Sequence, residues 1–169
     1  ADRVDERLSE SEEIWDPKVD ISLNLVFPEK PVAKEPTDIP QSIHMKDIDW
    51  VAMHSDLAHG DKNIMINFKS NDFGSYGHSH ADQNSFILEA FGEPLLIDSG
   101  YYPWAGSPHD MSWTRLTVAH NAVLINKKGQ GIFNPKARGN IEKFVTGKDF
   151  DYVVGEATEA YNEQSVAHR

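Results

Sequence analysis

The chain has 169 residues, a net charge of −11 and no cysteine, and it contains no apolar run near the roughly 20 residues of a membrane-spanning helix. Without cysteine there is neither a disulfide framework nor a thiolate metal site, so any zinc must rest on histidine and carboxylate. The net acidity argues against a nucleic-acid partner, whose footprint is basic, and the length suits a single domain with a core of its own. The charge is uneven: residues 1–20 carry eight acids against three bases, whereas residues 111–141 carry five bases (Arg115, Lys127, Lys128, Lys136, Arg138) and no acid. That basic stretch is either a solvated loop or a surface facing an anionic ligand. The first residue is alanine and nothing caps Val166-Ala167-His168-Arg169, so a mature product or an excised fragment is expected.

In chain order, Val4, Leu8 and Ile14-Trp15 recur at near-helical spacing among charges, which predicts a short amphipathic helix over 2–15 closed by Pro17. Alternation through Ile21, Leu23 and Leu25 predicts a half-buried strand over 19–27. Four prolines between 28 and 40 then make a connector that is neither helix nor central strand, so residues 1–47 divide from a β-rich part at 48–169. Seven β-prone runs follow, at 50–54, 63–69, 84–91, 94–97, 118–125, 140–146 and 152–156. Turn pieces rich in glycine, asparagine and aspartate separate them, such as Ser70-Asn71-Asp72-Phe73-Gly74 and Lys128-Gly129-Gln130-Gly131. Short strands at this spacing predict an all-β fold, an antiparallel β-sandwich or barrel.

Chemistry concentrates at Tyr76-Gly77-His78-Ser79-His80-Ala81-Asp82-Gln83-Asn84-Ser85. If this segment is extended, His78 and His80 project from one face. Leu95-Leu96-Ile97-Asp98-Ser99-Gly100 and Thr117-Val118-Ala119-His120-Asn121 each add one ligand-type side chain beside β-prone residues, so His80, Asp98 and His120 form a candidate ligand set, with His120 expected on a strand. Two imidazoles and a carboxylate suit zinc better than calcium or magnesium. The alternatives are two hydrogen-bonded structural histidines and an Asp98 that merely shapes the Ser99-Gly100 turn. The loop from 99 to 113 carries Tyr101, Tyr102, Trp104 and Trp113 around His109. Such rings either hold sugar faces or cover the end of the sandwich, and Tyr76 has the same two readings. Arg115 either takes a substrate carboxylate in bidentate fashion or pairs with a structural acid. For His44, His54, His59 and His168 a structural role is expected.

The run Ser75 to Phe86, followed by Gly92-Glu93-Pro94-Leu95-Leu96-Ile97-Asp98-Ser99-Gly100, Trp113-Thr114-Arg115 and Ala119-His120-Asn121, resembles the heparinase II/III-like family of polysaccharide lyases, and within it the oligoalginate lyase branch. The resemblance covers roughly 48–157. It implies an enzyme in which a helical toroid supplies much of the catalytic site and an antiparallel β-sandwich packs against it. This sequence matches only the sandwich; the family's catalytic tyrosine, with a further histidine and an asparagine or glutamine, belongs to the toroid. It also implies that His80, Asp98 and His120 hold Zn2+, that His78 projects into the catalytic cleft, and that the substrate is an acidic, uronate-containing polysaccharide such as alginate or heparin. A periplasmic or secreted location follows from the same resemblance, and the isolated piece is expected to be inactive. The alternative from the residues themselves is a non-catalytic carbohydrate- or metal-binding β-sandwich.

Overall fold

A computed structural model describes residues 34–101 and 104–164. The helix expected at 2–15, the strand at 19–27, the first part of the proline-rich connector, Tyr102 and His168 lie outside them. Among the described residues, 34–40 form no helix or strand, as the prolines require, and one compact unit begins at Pro36.

Five strands run as an antiparallel meander: β1 Ser42–Met45, β2 Trp50–His54, β3 Ile64–Lys69, β4 Ser85–Ala90 and β5 Glu93–Leu96. A hairpin of β6 Asn140–Thr146 and β7 Asp151–Glu156 makes the second sheet. The β-prone runs at 50–54 and 140–146 coincide with β2 and β6, and those for β3, β4, β5 and β7 agree to within a residue at each end. Strand β1 lies past the proline connector but within the 1–47 part set apart from the β-rich part, so the sheet begins before residue 48. It is joined to β2 through Asp49, whose φ of 46° makes the turn.

Cross-strand register explains why these residues pair. Val51, Phe68 and Phe86 stand opposite one another in one row, and Met53, Ile66, Leu88 and Leu96 in the next. Alternation places both rows on one face, and that face meets the β6–β7 hairpin. Gly155 of β7 lies so close to Phe68 that a Cβ there would meet its ring at 2.6 Å. Asn84 Nδ2 donates to Gly155 O at 3.1 Å, Ser70 Oγ to Glu156 O at 3.0 Å and Ser42 Oγ to Asp151 Oδ2 at 2.6 Å. The fold is the expected antiparallel β-sandwich. Its buried apolar side chains are mostly small: Val51, several alanines and Tyr161.

The run 118–125 is not a strand. Thr117–Ala119 form a 3-10 turn, and local carbonyls take the donors a ladder would need: Ala119 N–H bonds Leu116 O, His120 N–H bonds Thr117 O and Ala122 N–H bonds His120 O. The Asn121 side-chain amide reaches the sheet instead, donating to Phe86 O at 2.9 Å and Ile97 O at 3.0 Å.

Candidate functional site

The histidine motif is a turn, not an extended strand. Gly74 (φ +64°) presses so tightly on Pro135 that a Cβ would meet its carbonyl at 2.6 Å, and Ser75 N–H bonds Asn134 O at 3.0 Å. Gly77, also in the left-handed region at φ +60°, lets Ser79 N–H close back on Tyr76 O at 3.0 Å. His78 therefore sits exposed at the apex while His80 turns inward to 9 % exposure.

Tyr101 brings the two together. Its ring lies nearly parallel to His78 (centroids 6.3 Å apart, 13°) and to His80 (6.1 Å, 20°), and its hydroxyl meets His78 Nδ1 at 2.5 Å. His80 in turn lies 5.3 Å from His120, ring centre to ring centre. Asp98 completes the row: one carboxylate oxygen, Oδ2, is 2.5 Å from His120 Nδ1, and the other accepts Gly100 N–H at 2.9 Å. Asp98 thus both shapes the turn and faces the histidine. His120 Nε2–H donates to Thr114 O at 2.9 Å.

These contacts set the charges. Burial pushes the His80 ring below its ordinary pKa, and the neighbouring His120 pushes the same way. Burial works against a charged His120 too, but the hydrogen bond and charge of Asp98 outweigh it and raise the pKa. Asp98 is lowered in step, its burial offset by the bonds from His120 and Gly100 N–H.

The donor set fits zinc in kind. With the Nε2 proton of His120 held by a backbone carbonyl, Nδ1 is the nitrogen available to a metal, the usual way a second partner orients a ligating imidazole. Among the described residues no three histidine or carboxylate side chains stand as a ready-made ion cage. Asp98 Oδ2 and His120 Nδ1 face each other at 2.5 Å, and an ion bound by both would have to part that contact.

Arg115 takes the second of its two readings and pairs with a buried acid. It is 2 % exposed; Nε donates to Asp110 Oδ1 at 3.2 Å and Nη2 to Oδ2 at 3.1 Å, while Nη1 donates to Gly77 O at 2.8 Å and Ser79 O at 3.3 Å. A guanidinium so occupied takes no substrate carboxylate. It clamps the histidine turn to Asp110–Thr114, a π-helical turn closed by Arg115 N–H on Asp110 O at 3.1 Å. Arg138 is engaged as well, with Asp72 at 3.0 Å and Glu159 at 3.5 Å, so the basic stretch is partly consumed by internal ion pairs. Tyr76 (67 % exposed), Trp104 (64 %) and Trp113 (42 %) present their rings to solvent. His44, His54 and His59 each have a local partner, Asp49, Asn63 and Asp56.

Sequence reasoning missed Asp110, Gln83 and Gln130. Gln130 Oε1 accepts Gln83 N–H at 2.8 Å, its Nε2 donates to Gln83 O at 2.8 Å, and Gln83 Oε1 accepts Asn71 N–H at 2.7 Å. Asp110 precedes Arg115 by five positions, outside the i, i+3 and i, i+4 spacings that mark helical pairs, so no local signal announced it. A cavity of about 480 Å³ between β1–β3 and the turn at 146–151 contains none of His78, His80 or His120; chemistry, not volume, locates the site.

Residues 37–169 match the family described as Heparinase II/III-like, C-terminal. The chain belongs to the heparinase II/III-like family. Among solved structures it is similar to a heparinase III gene product, with TM-score 0.60 and 20 % identity over 86 % of this chain and 22 % of that one. Heparan sulfate lyase HepC from Pedobacter heparinus is also similar, at TM-score 0.60 and 18 % identity over 82 % of this chain and 22 % of that one. A mutant of the same lyase matches at TM-score 0.59 and 19 % identity, over 80 % and 22 %. This family member therefore spans about a fifth of the length of the solved structures it matches. No curated protein matches it.

Proposed function

We propose that this chain is the β-sandwich part of a polysaccharide lyase that cleaves an acidic, uronate-containing polymer by β-elimination, with oligoalginate or a heparan-type glycan as substrate. The observation that carries the proposal is an exposed His78 at a turn apex, backed by the row Tyr101, His80, His120 and Asp98 and accompanied by the exposed rings of Tyr76, Trp104 and Trp113. β-Elimination removes the proton alpha to the uronate carboxylate and expels the 4-linked sugar. It requires stabilisation of the charge developing on the carboxylate, a base, and an acid for the leaving oxygen. His78 provides a solvent-facing imidazole for charge stabilisation, and the rings offer apolar faces to pyranose C–H surfaces. The remaining groups would come from a helical toroid in the same parent protein. Zinc held by His80, Asp98 and His120 would supply bracing of the loops beneath the cleft, since elimination needs no hydrolytic nucleophile. Such polymers lie outside the cytoplasm, which favours a periplasmic or secreted parent.

The test is His78→Ala in the parent protein, followed by absorbance of the unsaturated uronate product on alginate and on heparan sulfate. A fall in kcat of about 10²-fold or more, with fold and metal content unchanged, is expected. Full activity in that variant refutes the assignment, and glycan binding without any product in the wild-type parent identifies a non-catalytic module instead.

A further inference from the structure

Tyr101 is 60 % exposed, yet its position is closely specified. Gly100, at φ +82°, turns the chain immediately before it, and the Asp98 carboxylate holds that turn through Gly100 N–H. The ring then lies nearly parallel to both His78 and His80, with its hydroxyl 2.5 Å from His78 Nδ1. A phenol O–H is a good donor and a neutral imidazole nitrogen a good acceptor. When the hydroxyl donates to Nδ1, the ring proton of neutral His78 resides on Nε2, the nitrogen away from Tyr101.

We infer that Tyr101 is the positioning residue for His78: its hydroxyl bond selects the tautomer that carries Nε2–H and aims that N–H at the substrate. His78 then acts as a hydrogen-bond donor to the uronate carboxylate, and not as the base that removes the alpha proton. This inference rests on the lyase reading above for its chemical purpose, but the tautomer itself is a property of the protein without substrate. It also links the two halves of the site, because Asp98 faces His120 with one oxygen and sets the turn that carries Tyr101 with the other.

The experiment is Tyr101→Phe, which keeps the ring beside both histidines and deletes only the hydroxyl. In the metal-replete parent protein labelled with ¹⁵N-histidine, the His78 signals are assigned by their loss in His78→Gln. At a pH where the ring is neutral, wild type is expected to show an unprotonated Nδ1 and a protonated Nε2, and Tyr101→Phe a mixture of the two tautomers. In turnover assays the same variant is expected to lose about five- to tenfold in kcat, the equivalent of one ordinary hydrogen bond, with KM nearly unchanged. A wild-type His78 protonated on Nδ1, or a Tyr101→Phe protein with unchanged tautomer and kcat, overturns the inference. If the parent produces no unsaturated uronate while the ¹⁵N pattern changes as expected, the lyase reading falls and the positioning role stands.

Discussion

The five-stranded meander and the loops that carry the histidines are built by different means. In the meander the backbone ladder and rows of apolar side chains such as Val51, Phe68 and Phe86 define the register. In the loops the interior is polar. Among the described residues the bulkiest fully buried side chains are Arg115 and Gln83, ahead of Val51, with Thr114, Thr117 and Asp110 also enclosed. Thr117 Oγ1 donates to Ala81 O at 2.7 Å and accepts Gln130 N–H at 2.8 Å, and Ala81 N–H donates to Arg115 O at 3.0 Å. An apolar row tolerates the loss of a methyl group, whereas a buried polar network tolerates poorly the loss of one member, because the partner left behind is desolvated and unsatisfied. Stability in this molecule is therefore most sensitive beneath the site.

The sharpest way to break that comparison is to delete one member from each region. Asp110→Ala strands the Arg115 guanidinium in the interior and is expected to lower Tm by about 10 °C, whereas Val51→Ala should lower it by about half as much. Thermal unfolding by circular dichroism compares them, and a larger loss for Val51→Ala would reverse the ranking of the two regions.

A subtler effect is expected from the metal. Elemental analysis after metal-replete preparation should find zinc near one per chain, absent from His80→Ala and His120→Ala, in keeping with a nitrogen and oxygen ligand set. Chelation should raise amide hydrogen exchange at 75–84 and 117–122 while β2, β3 and β4 stay protected. Exchange that rises equally in the strands would mean that the metal supports the whole sandwich.

The smallest effect lies in acid. Burial raises the Asp110 carboxyl, but the bonds from Gly106 N–H and Arg115 outweigh it, and its pKa ends below the ordinary value. A carboxyl lowered by folding contributes stability above its unfolded pKa of about 3.9, and that contribution fades as the pH falls below it. Tm measured between about pH 6 and pH 3 should therefore fall less steeply in Asp110→Asn than in wild type; parallel curves would show that Asp110 does not contribute to the acid limb.

Much of the sheet was legible because strand formation here is local. Short β-prone runs such as Trp50-Val51-Ala52-Met53-His54 and β6, bounded by turn residues, suffice to mark a strand wherever a partner exists. Strand β1 was not expected because Ser42-Ile43-His44-Met45 alternates over only four residues, directly after the proline-rich connector, and is a strand chiefly through pairing with β2. The opposite error at 118–125 has the same origin: the residues are β-prone, but nearby carbonyls capture their donors, and only Asn121 reaches the sheet, through its side chain.

The sequence by itself determined the antiparallel β character, the separation of the motif residues by strands and turns, and the chemical kind of the candidate ligands His80, Asp98 and His120. Those properties depend on residue type and short-range spacing. Tertiary structure alone decided that His78 stands out and His80 turns in, that Tyr101 joins them, and that Arg115 is spent on Asp110 and two carbonyls of the histidine turn. Each of these is a directional contact between loops, made by side chains that favour no one element and carry no periodicity. Only the folded backbone, by fixing which polar groups lose water together, selects their partners.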